Sequence, residues 1–568
     1  MGISSQEKAT VIRRFLEQAF SLLCNTHYPV VSALKGMRYP LLEQGLALYS
    51  QAYSSACTSL LSQLGGGPPD HPKTIPMNES SATANSHAPV SKLPPELLDI
   101  IASRIESCHD LLAFALVCRA FYRTASPRHL EYRVLRCAYQ DESVWSHLRE
   151  RKDLAANVRT VRICDGLDLE GQFDVREHVP TSLRPPSLPW SVPSDDPEES
   201  ASALYSVSEA VDNMVHLRRL TWSMSLAFSS QDERRAVAAI WDAVGRNPSL
   251  RELTFIQPLN PPSDLPIYPQ DIGSYPLWSI SNLTSITLSN VAFLRHSDSV
   301  KQFSRVLNHS PRLERLEIDV YDWTFDLGDL LGESKFGCLR EVGLEVYADP
   351  EPNSQAFCDL LENTPSLEVV KWQYIPLRPL KEGSLPRLRR LHSPVFPQPR
   401  EVHSAQSVLA DKTVAPRPLV ELGAFRLWAD TFSMLRGIDG RTLRKLELSS
   451  FESIQRLTDV VGLFPRLTWL RIPSVDYMHD WHGITLEPIH TGQWVDVVCR
   501  LPELEVFHGV SLFKDPAVAD NDQRARDIAA TAPKLYRFDH WTLASNKVVV
   551  LVRDGDHVSW REETVEEY

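Results

Sequence analysis

The chain has 568 residues, of which 43% are hydrophobic and 23% are charged, a composition typical of a folded protein. Its 59 lysines and arginines against 72 aspartates and glutamates give a net charge of −13. This balance argues against nucleic-acid binding as the main function, because phosphate neutralisation needs a basic face. Nine scattered cysteines without CxxC spacing predict reduced thiols and a cytoplasmic or nuclear location. No apolar run approaches the ~18 residues of a membrane span, so we expect no membrane partner.

The amino-terminal part of the chain divides into two segments. Residues 1–64 are predicted to be helical, because apolar side chains such as Ile12, Phe15 and Ala19 recur at helical spacing. Residues 65–90 are rich in Gly, Pro, Ser and Asn and predict a flexible linker. Neither segment indicates a function.

A loose repeat follows the first 150 residues. Seven predicted helices end in Pro-x-Leu, as in "SPRLERLEID" and "FPRLTWLRIP", and six related segments such as "TLRKLEL" lack the proline. Apolar residues at i+3 and i+5 would alternate along a short strand and point to one side, while the proline would end the preceding helix. The first leucines of the units lie 21 to 37 residues apart: Leu217, Leu250, Leu283, Leu313, Leu339, Leu367, Leu388, Leu419, Leu443, Leu467, Leu504 and Leu535.

These units predict an α/β fold in which residues 136–568 form an irregular solenoid, similar to leucine-rich repeats, of short parallel strands and helices. A single strand–helix unit cannot bury its apolar face, so neighbouring units must stack. The spacing is irregular and partly longer than the ~20–29 residues of leucine-rich repeats. A conventional α/β sheet is the alternative. The end of the array, "KVVVLVRDGDHVSW", predicts a hairpin turning at Asp554-Gly555 that caps the last repeat.

The stretch "SKLPPELLDIIASRIESCHDLLAFALVCRAFYRTA", residues 91–125, is too apolar for a linker and too short for its own core. Prolines and Glu96 in a first turn predict a helix, Asp110 is expected to cap a second one, and the segment to Leu135 is expected to continue helical after a break near Pro127. Such short helices expose more apolar surface than they can bury, so we expect a partner.

The order and spacing of these residues resemble an F-box, with a Leu-Pro-x-Glu-Leu-Leu opening and a later Val-Cys-Arg-x-Phe-Tyr. The resemblance covers residues 91–135 and implies a small three-helix module that docks on the Skp-type adaptor of a cullin–RING ubiquitin ligase. The repeat region is similar, by pattern only, to the irregular leucine-rich arrays of fungal F-box proteins. The family's adaptor contacts would fall on Leu93, Pro94, Pro95, Glu96, Leu97, Ile100, Ile101, Leu111, Leu116, Val117, Cys118, Arg119 and Phe121.

The sequence does not predict an enzyme, a cofactor or a metal site. The segments typical of catalytic nucleophiles, zinc hydrolases and dinucleotide sites do not occur in suitable contexts. The closest cluster is His479, Asp480 and His482, whose spacing fits no rule for metal ligands, so a solvated loop is expected.

The resulting hypothesis is a substrate receptor: the F-box would dock on the adaptor, and through it on the cullin and RING subunits, while the repeats hold a target protein. Two alternatives stay open, namely a scaffold that binds the adaptor without promoting degradation and an enzyme whose site is visible only after folding. Outward strand positions would contact the unknown substrate. They are Arg315, Glu317, Asp319, Lys371, Lys445, Glu447, Trp469, Arg471, His508, Arg537 and Asp539.

Overall fold

The computed structural model describes most of the chain from residue 93 to residue 564. Outside the described residues lie 1–92, 165–178, 184–196, 225–229, 257–275, 393–407, 409–416, 428–431, 474–490, 515–519, 543–546 and 565–568, with several shorter gaps. The predicted helical segment 1–64, the linker 65–90 and the cluster of His479, Asp480 and His482 therefore all lie outside the described residues.

Residues 93–133, which we call the helical module, contain three main helices. They are α1 (Pro95–Arg104), α2 (Cys108–Ala115) and α3 (Arg119–Ala125). Prolines occupy the start of α1, with Glu96 in its first turn, as the sequence predicts.

Two local expectations for the helical module are wrong. Helix α2 begins at Cys108, so Asp110 lies in its first turn instead of capping it. Pro127 does not interrupt the chain, because α3 continues through a π-helical turn (Ser126–Leu130) into the short helix α4 (Glu131–Arg133). The helix expected up to Leu135 ends there, and Val134 begins a strand.

The rest of the described chain builds one sheet of 16 strands whose order follows the sequence. The strands are β1 (Val134–Ala138), β2 (Thr160–Cys164), β3 (Arg219–Ser223), β4 (Glu252–Ile256), β5 (Ser285–Ser289), β6 (Arg315–Val320), β7 (Glu341–Val346), β8 (Val369–Gln373), β9 (Arg390–His392), β10 (Glu421–Leu427), β11 (Lys445–Phe451), β12 (Trp469–Arg471), β13 (Val506–His508), β14 (Arg537–Asp539), β15 (Lys547–Asp554) and β16 (His557–Thr564). The first 14 strands are parallel, and the last two are antiparallel. The α/β class is thereby confirmed.

Each of the 13 repeated segments becomes a strand, β2 to β14, and its apolar i+3 residue stays in register with its neighbours. Leu316 pairs with Ile286 on one side and with Val342 on the other, and all three are buried. The same column continues to Phe538, the counterpart in β14. The register is fixed because a slip of one residue would expose every apolar side chain of a strand.

Helices connect many of the strands and supply the second layer of the core. They are α5 (Glu142–Glu150), α6 (Lys152–Ala155), α7 (Pro197–Asp212), α8 (Gln231–Gly245), α9 (Ser297–Asn308), α10 (Leu327–Leu331), α11 (Pro350–Asn363), α12 (Ile454–Leu463), α13 (Thr491–Cys499) and α14 (Asn521–Thr531). In α8, for example, Val237, Ile240 and Trp241 are buried at helical spacing. One continuous apolar core extends from Tyr132 to Leu551.

The carboxyl-terminal hairpin forms as predicted. Strands β15 and β16 pair along eight residues, and Gly555 in the turn has φ +59°, which glycine adopts readily. Trp560 of β16 packs edge-on against Phe513, and its indole nitrogen donates a hydrogen bond to Asp522 at 2.8 Å. Charged residues along β16 make this edge a poor template for pairing with another chain.

Candidate functional site

Large apolar side chains are exposed together on the helical module. Leu97, Ile100 and Ile101 of α1 lie at i, i+3 and i+4, on the face opposite the buried Leu98 and Ala102. The exposed fractions are 46% for Leu97, 55% for Ile100, 38% for Ile101, 51% for Leu116, 68% for Val117 and 53% for Tyr122. We call these six residues the apolar surface. A single exposed apolar residue is ordinary, whereas six on one small helical module favour an interaction site.

The 13 residues predicted to contact an adaptor divide by exposure. Nine are exposed: Pro94, Pro95, Glu96, Leu97, Ile100, Ile101, Leu116, Val117 and Arg119. Leu93 and Cys118 are half-buried. Leu111 and Phe121 are buried, and the Phe121 ring stacks on Phe114 with centroids 4.4 Å apart. In this structure the last two residues support the helices from inside and offer little surface to a partner.

The helical module is attached to the sheet through the carboxyl end of α1. Arg133 is buried and donates from Nη2 to the Ala102 carbonyl at 2.9 Å, and Arg159 donates to the Ser103 carbonyl at 3.3 Å. Arg218 forms an ion pair with Glu106. Burial, together with the charges of Arg133 and Arg218, lowers the pKa of Arg159 to about 10. Cations at the negative end of a helix stabilise it. Arg133 does so within the module, and Arg159 and Arg218 hold the module against the turns before β2 and β3.

The sheet has one apolar and one polar side. Along β6 the buried residues alternate with half-buried ones, and the half-buried positions are Arg315, Glu317 and Asp319. A sheet whose parallel strands follow the sequence in order has right-handed connections that all cross the same face. The connecting helices therefore cover the apolar side, and no described helix covers the polar face.

A first group of predicted substrate residues forms an ion-pair network on strands β6 to β8. Arg315 Nη2 lies 2.8 Å from Glu317 Oε1, and Lys371 Nζ lies 2.9 Å from Glu341 Oε1 and 3.4 Å from Glu317 Oε1. Gly343 stands in register between Glu317 and Lys371, and a Cβ there would crowd the Glu317 side chain at 3.1 Å. Burial acts to raise the pKa of Glu317, but hydrogen bonds and charges from Arg315 and Lys371 outweigh it and lower the pKa.

Asp319, another predicted residue, borders this network in a different environment. It pairs in register with Glu345 of β7, which places two carboxylates at directly opposite positions. Ser289 Oγ donates a hydrogen bond to Asp319 Oδ2 at 3.0 Å. Burial, followed by the charge of Glu345, raises the pKa of Asp319 to about 6. This carboxyl group therefore titrates close to neutral pH.

A second group lies on strands β11 to β14. His508 Nδ1 lies 2.7 Å from Asp539 Oδ1, and the Gly509 backbone N–H donates to Asp539 Oδ2 at 2.6 Å. The Trp469 and His508 rings lie with centroids 5.7 Å apart. Arg471 Nη1 lies 3.4 Å from Glu447 Oε1 in the adjacent strand. The remaining predicted residues, Lys445 and Arg537, occupy the first positions of β11 and β14.

Sequence reasoning missed three residues on the polar face. Glu341 joins the first network, and His392 Nε2 lies 3.2 Å from Glu421 Oε1 between the two groups. His392 lies over Gly423, where a Cβ would overlap its imidazole ring. The alternation within the repeats could have identified Glu341 and Glu421. Each is the first residue of its strand and directly precedes the buried apolar residue of its repeat, so it lies on the opposite, polar side.

The described part of the chain contains no group of three His, Cys, Asp or Glu residues placed to hold a metal ion. Within the same residues no helix has the length and apolar character needed to cross a membrane. No protein-family model matches the chain, and neither does any curated protein. The described residues thus place six exposed apolar side chains on the helical module and several ion pairs on the polar face of the sheet.

Proposed function

We propose that the chain is the substrate-recognition subunit of a cullin–RING ubiquitin ligase. The helical module would dock on a Skp-type adaptor, and the sheet would hold the target protein. Such a receptor carries out no chemistry itself; it raises the effective concentration of a target lysine near the charged ubiquitin carrier. The resemblance of residues 91–135 to an F-box supplies the identity of the partner.

The apolar surface is the observation that supports the proposal most directly. Its residues occupy positions that the F-box pattern assigns to adaptor contacts, apart from Tyr122, and they are exposed in the isolated chain. Full burial of one such side chain contributes roughly 1.5–3 kcal/mol, so a few of them can dominate an interface. An exposed surface of this kind needs a partner in order to avoid aggregation.

The polar face supports the second half of the proposal. Arg315, Glu317, Lys371 and Asp539 are partly buried and held by ion pairs, so they present a preformed surface with little conformational freedom to lose on binding. The contacts of Arg159 and Arg218 with residues at the carboxyl end of α1 and just after it hold the helical module against the turns before β2 and β3 of the same sheet. Within this proposal, the adaptor and the target would be kept at a constant separation. The proposal includes a solenoid similar to irregular leucine-rich repeats. The sequential order of the strands in the sheet is compatible with such a solenoid.

The test is capture of a purified Skp-type adaptor, with its cullin, by the full chain. Substitution of Ile100→Asp with Val117→Asp places two charges in the apolar surface and should weaken capture more than about a hundredfold. The matched control is Tyr205→Asp with Val215→Asp, since both of these residues are exposed and lie outside the module. Equal capture by the two double variants would refute adaptor docking through this surface.

The scaffold alternative makes a different prediction in the same system. If the chain binds the adaptor only as a scaffold, proteins captured on the sheet receive no ubiquitin when the charged carrier is added. If the chain is a receptor, the ligase transfers ubiquitin from the charged carrier to these proteins, and this transfer is lost in the Ile100→Asp/Val117→Asp variant.

A further inference from the structure

The amino-terminal edge of the sheet carries an unbalanced group of cations from β9 to β12. Two of them begin strands β9 and β11, and the others lie in the turns just before β9, β11 and β12. All are exposed except Arg444, which is half-buried. We call this group the basic edge, and it consists of Arg387, Arg389, Arg390, Arg441, Arg444, Lys445 and Arg466.

Backbone hydrogen bonds stack these turns in consecutive layers. The Val420 N–H donates to the Arg389 carbonyl at 2.7 Å, the Arg444 N–H to the Val420 carbonyl at 2.8 Å, and the Thr468 N–H to the Arg444 carbonyl at 2.8 Å. Neighbouring strands lie ~4.8 Å apart, so the four layers span about 15 Å. The seven cations are therefore crowded into one short band at the edge of the sheet.

The described part of the fold balances only part of the charge in this band. None of the seven side chains forms an ion pair with a described residue. Only one contributes a side-chain hydrogen bond to the local structure, from Arg444 Nη1 to the Arg466 carbonyl at 3.0 Å. Glu421, at the start of β10, is paired with His392 and stands in register between Arg390 and Lys445, whose charges help to lower its pKa. Glu503 likewise feels the charges of Arg444 and Arg466. The seven cations still outnumber these two carboxylates, in a chain of net charge −13.

The next layer on each side carries a glutamate. Glu368 accepts the backbone hydrogen bond from Arg389 on one side, and Glu505 donates one to Thr468 on the other. A long polyanion that followed the edge would meet these carboxylates beyond the four layers. The band suits a short anionic stretch of about five extended residues, at ~3.3 Å per residue. This boundary favours a segment of a protein over a nucleic acid.

We propose that the basic edge binds a short, extended acidic segment of a protein partner. That the bound protein is also a substrate rests on the proposed function, whereas the binding itself does not. Each exposed cation contributes a modest, salt-sensitive attraction, and several that act together give a usable affinity. The acidic segment would lie across the strands, along the stack of turns.

The test is fluorescence anisotropy of the full chain with a labelled peptide of alternating glutamate and serine. We expect the combined variant Arg389→Glu, Arg441→Glu and Arg466→Glu to bind at least about tenfold more weakly, and moderate salt to weaken the wild type. The control reverses three exposed arginines on helices, Arg235→Glu, Arg305→Glu and Arg526→Glu, for the same change in net charge. Thermal unfolding of both triple variants confirms that the fold is retained.

Three outcomes would overturn the inference: equal binding by the two triple variants, equal binding of a lysine–serine peptide, or an oligonucleotide of the same charge that binds more than tenfold tighter. Adaptor capture and peptide binding are measured separately, so the two proposals can fail separately. If the wild type does not capture the adaptor, and both it and the Ile100→Asp/Val117→Asp variant bind the acidic peptide, the ligase assignment fails and the basic edge stands as a binding site.

Discussion

Substitution of Glu362→Gln tests how the turn before the basic edge is held in place. Glu362 lies near the end of α11, and its side chain is 1% exposed. Arg378 Nη1 lies 2.5 Å from Oε1, Lys381 Nζ lies 2.9 Å from Oε2, and the Lys381 backbone N–H donates to Oε1 at 3.0 Å. The hydrogen bond from Arg378, supported by Lys381, lowers the pKa of Glu362 to about 2. The glutamine keeps the shape and removes the charge.

The magnitude follows from the pKa difference between the unfolded and folded chains. A change from 4.5 to about 2 is about 2.5 pKa units, or ~3 kcal/mol of stability at pH 7. Because the folded pKa is depressed, this contribution is complete above pH 4.5 and is lost as the pH falls toward 2. Near pH 3 it should have decreased to about 1.4 kcal/mol.

Urea unfolding of the wild type and the variant at pH 7 and at pH 3 to 4 measures this difference. Glu382→Gln serves as the control, because Glu382 is an exposed carboxylate in the following turn. The reasoning is refuted if Glu362→Gln costs no more than the control at pH 7, or if its cost is the same at both pH values.

Three further predictions follow from single contacts. Trp222→Ala removes a fully buried ring 4.8 Å from Trp241 and should cost about 3–5 kcal/mol in the free energy of unfolding; a loss below ~1 kcal/mol would contradict the packing. Because the pKa of Asp319 is raised to about 6 in the folded chain, the free energy of unfolding decreases as the pH rises through about 6. Asp319→Asn should therefore stabilise the chain by about 1–2 kcal/mol at pH 8 and not at pH 4; an effect that is the same at both pH values would contradict the raised pKa. Gly423→Ala should displace His392 from Glu421, whose pKa the imidazole lowers, so the Glu421 pKa should rise in an NMR titration; an unchanged Glu421 titration would contradict the overlap.

The strands of the sheet could be predicted from the sequence because each carries a local signal. A residue such as Leu316 stands three positions after the leucine of its turn and two before Ile318, so the alternation is visible within six residues. The prolines add the position at which the helices end. Helix α9 ends at Asn308, three residues before Pro311, and α12 ends at Leu463, two residues before Pro465.

The first strand was missed because its signal is weak and tertiary contacts decide its conformation. Val134 to Ala138 has no leucine turn before it and directly follows helical sequence. Its pairing with β2, Leu135 opposite Val161, exists only once the next unit is in place. Arg133 turns away from the helix at this point and is held by the Ala102 carbonyl, 31 residues earlier in the chain.

The candidate site was less predictable than the fold, since pairing between strands leaves no local trace. Alternation correctly placed Glu317 and Lys371 on the polar face, yet their contact spans 54 residues and passes over Gly343 of the strand between them. The elevated pKa of Asp319 depends on Glu345 in the next strand. A residue's chemistry on this face is set by its neighbours in register, which the spacing of the repeats does not disclose.

The same register explains why charge is balanced on the polar face and in excess at the basic edge, two adjoining surfaces that share Lys445. On the face, a cation such as Lys371 finds carboxylates in β6 and β7, so charge is balanced within the sheet. At the edge, turn residues such as Arg389 and Arg444 are separated by one layer that contributes Val420. Val420 contributes no charge to that layer, and Glu421 and Glu503 offset only part of the charge of the seven cations, so the basic edge still attracts an external anion. The polar face therefore needs no partner for its electrostatic balance, whereas the basic edge gains from one.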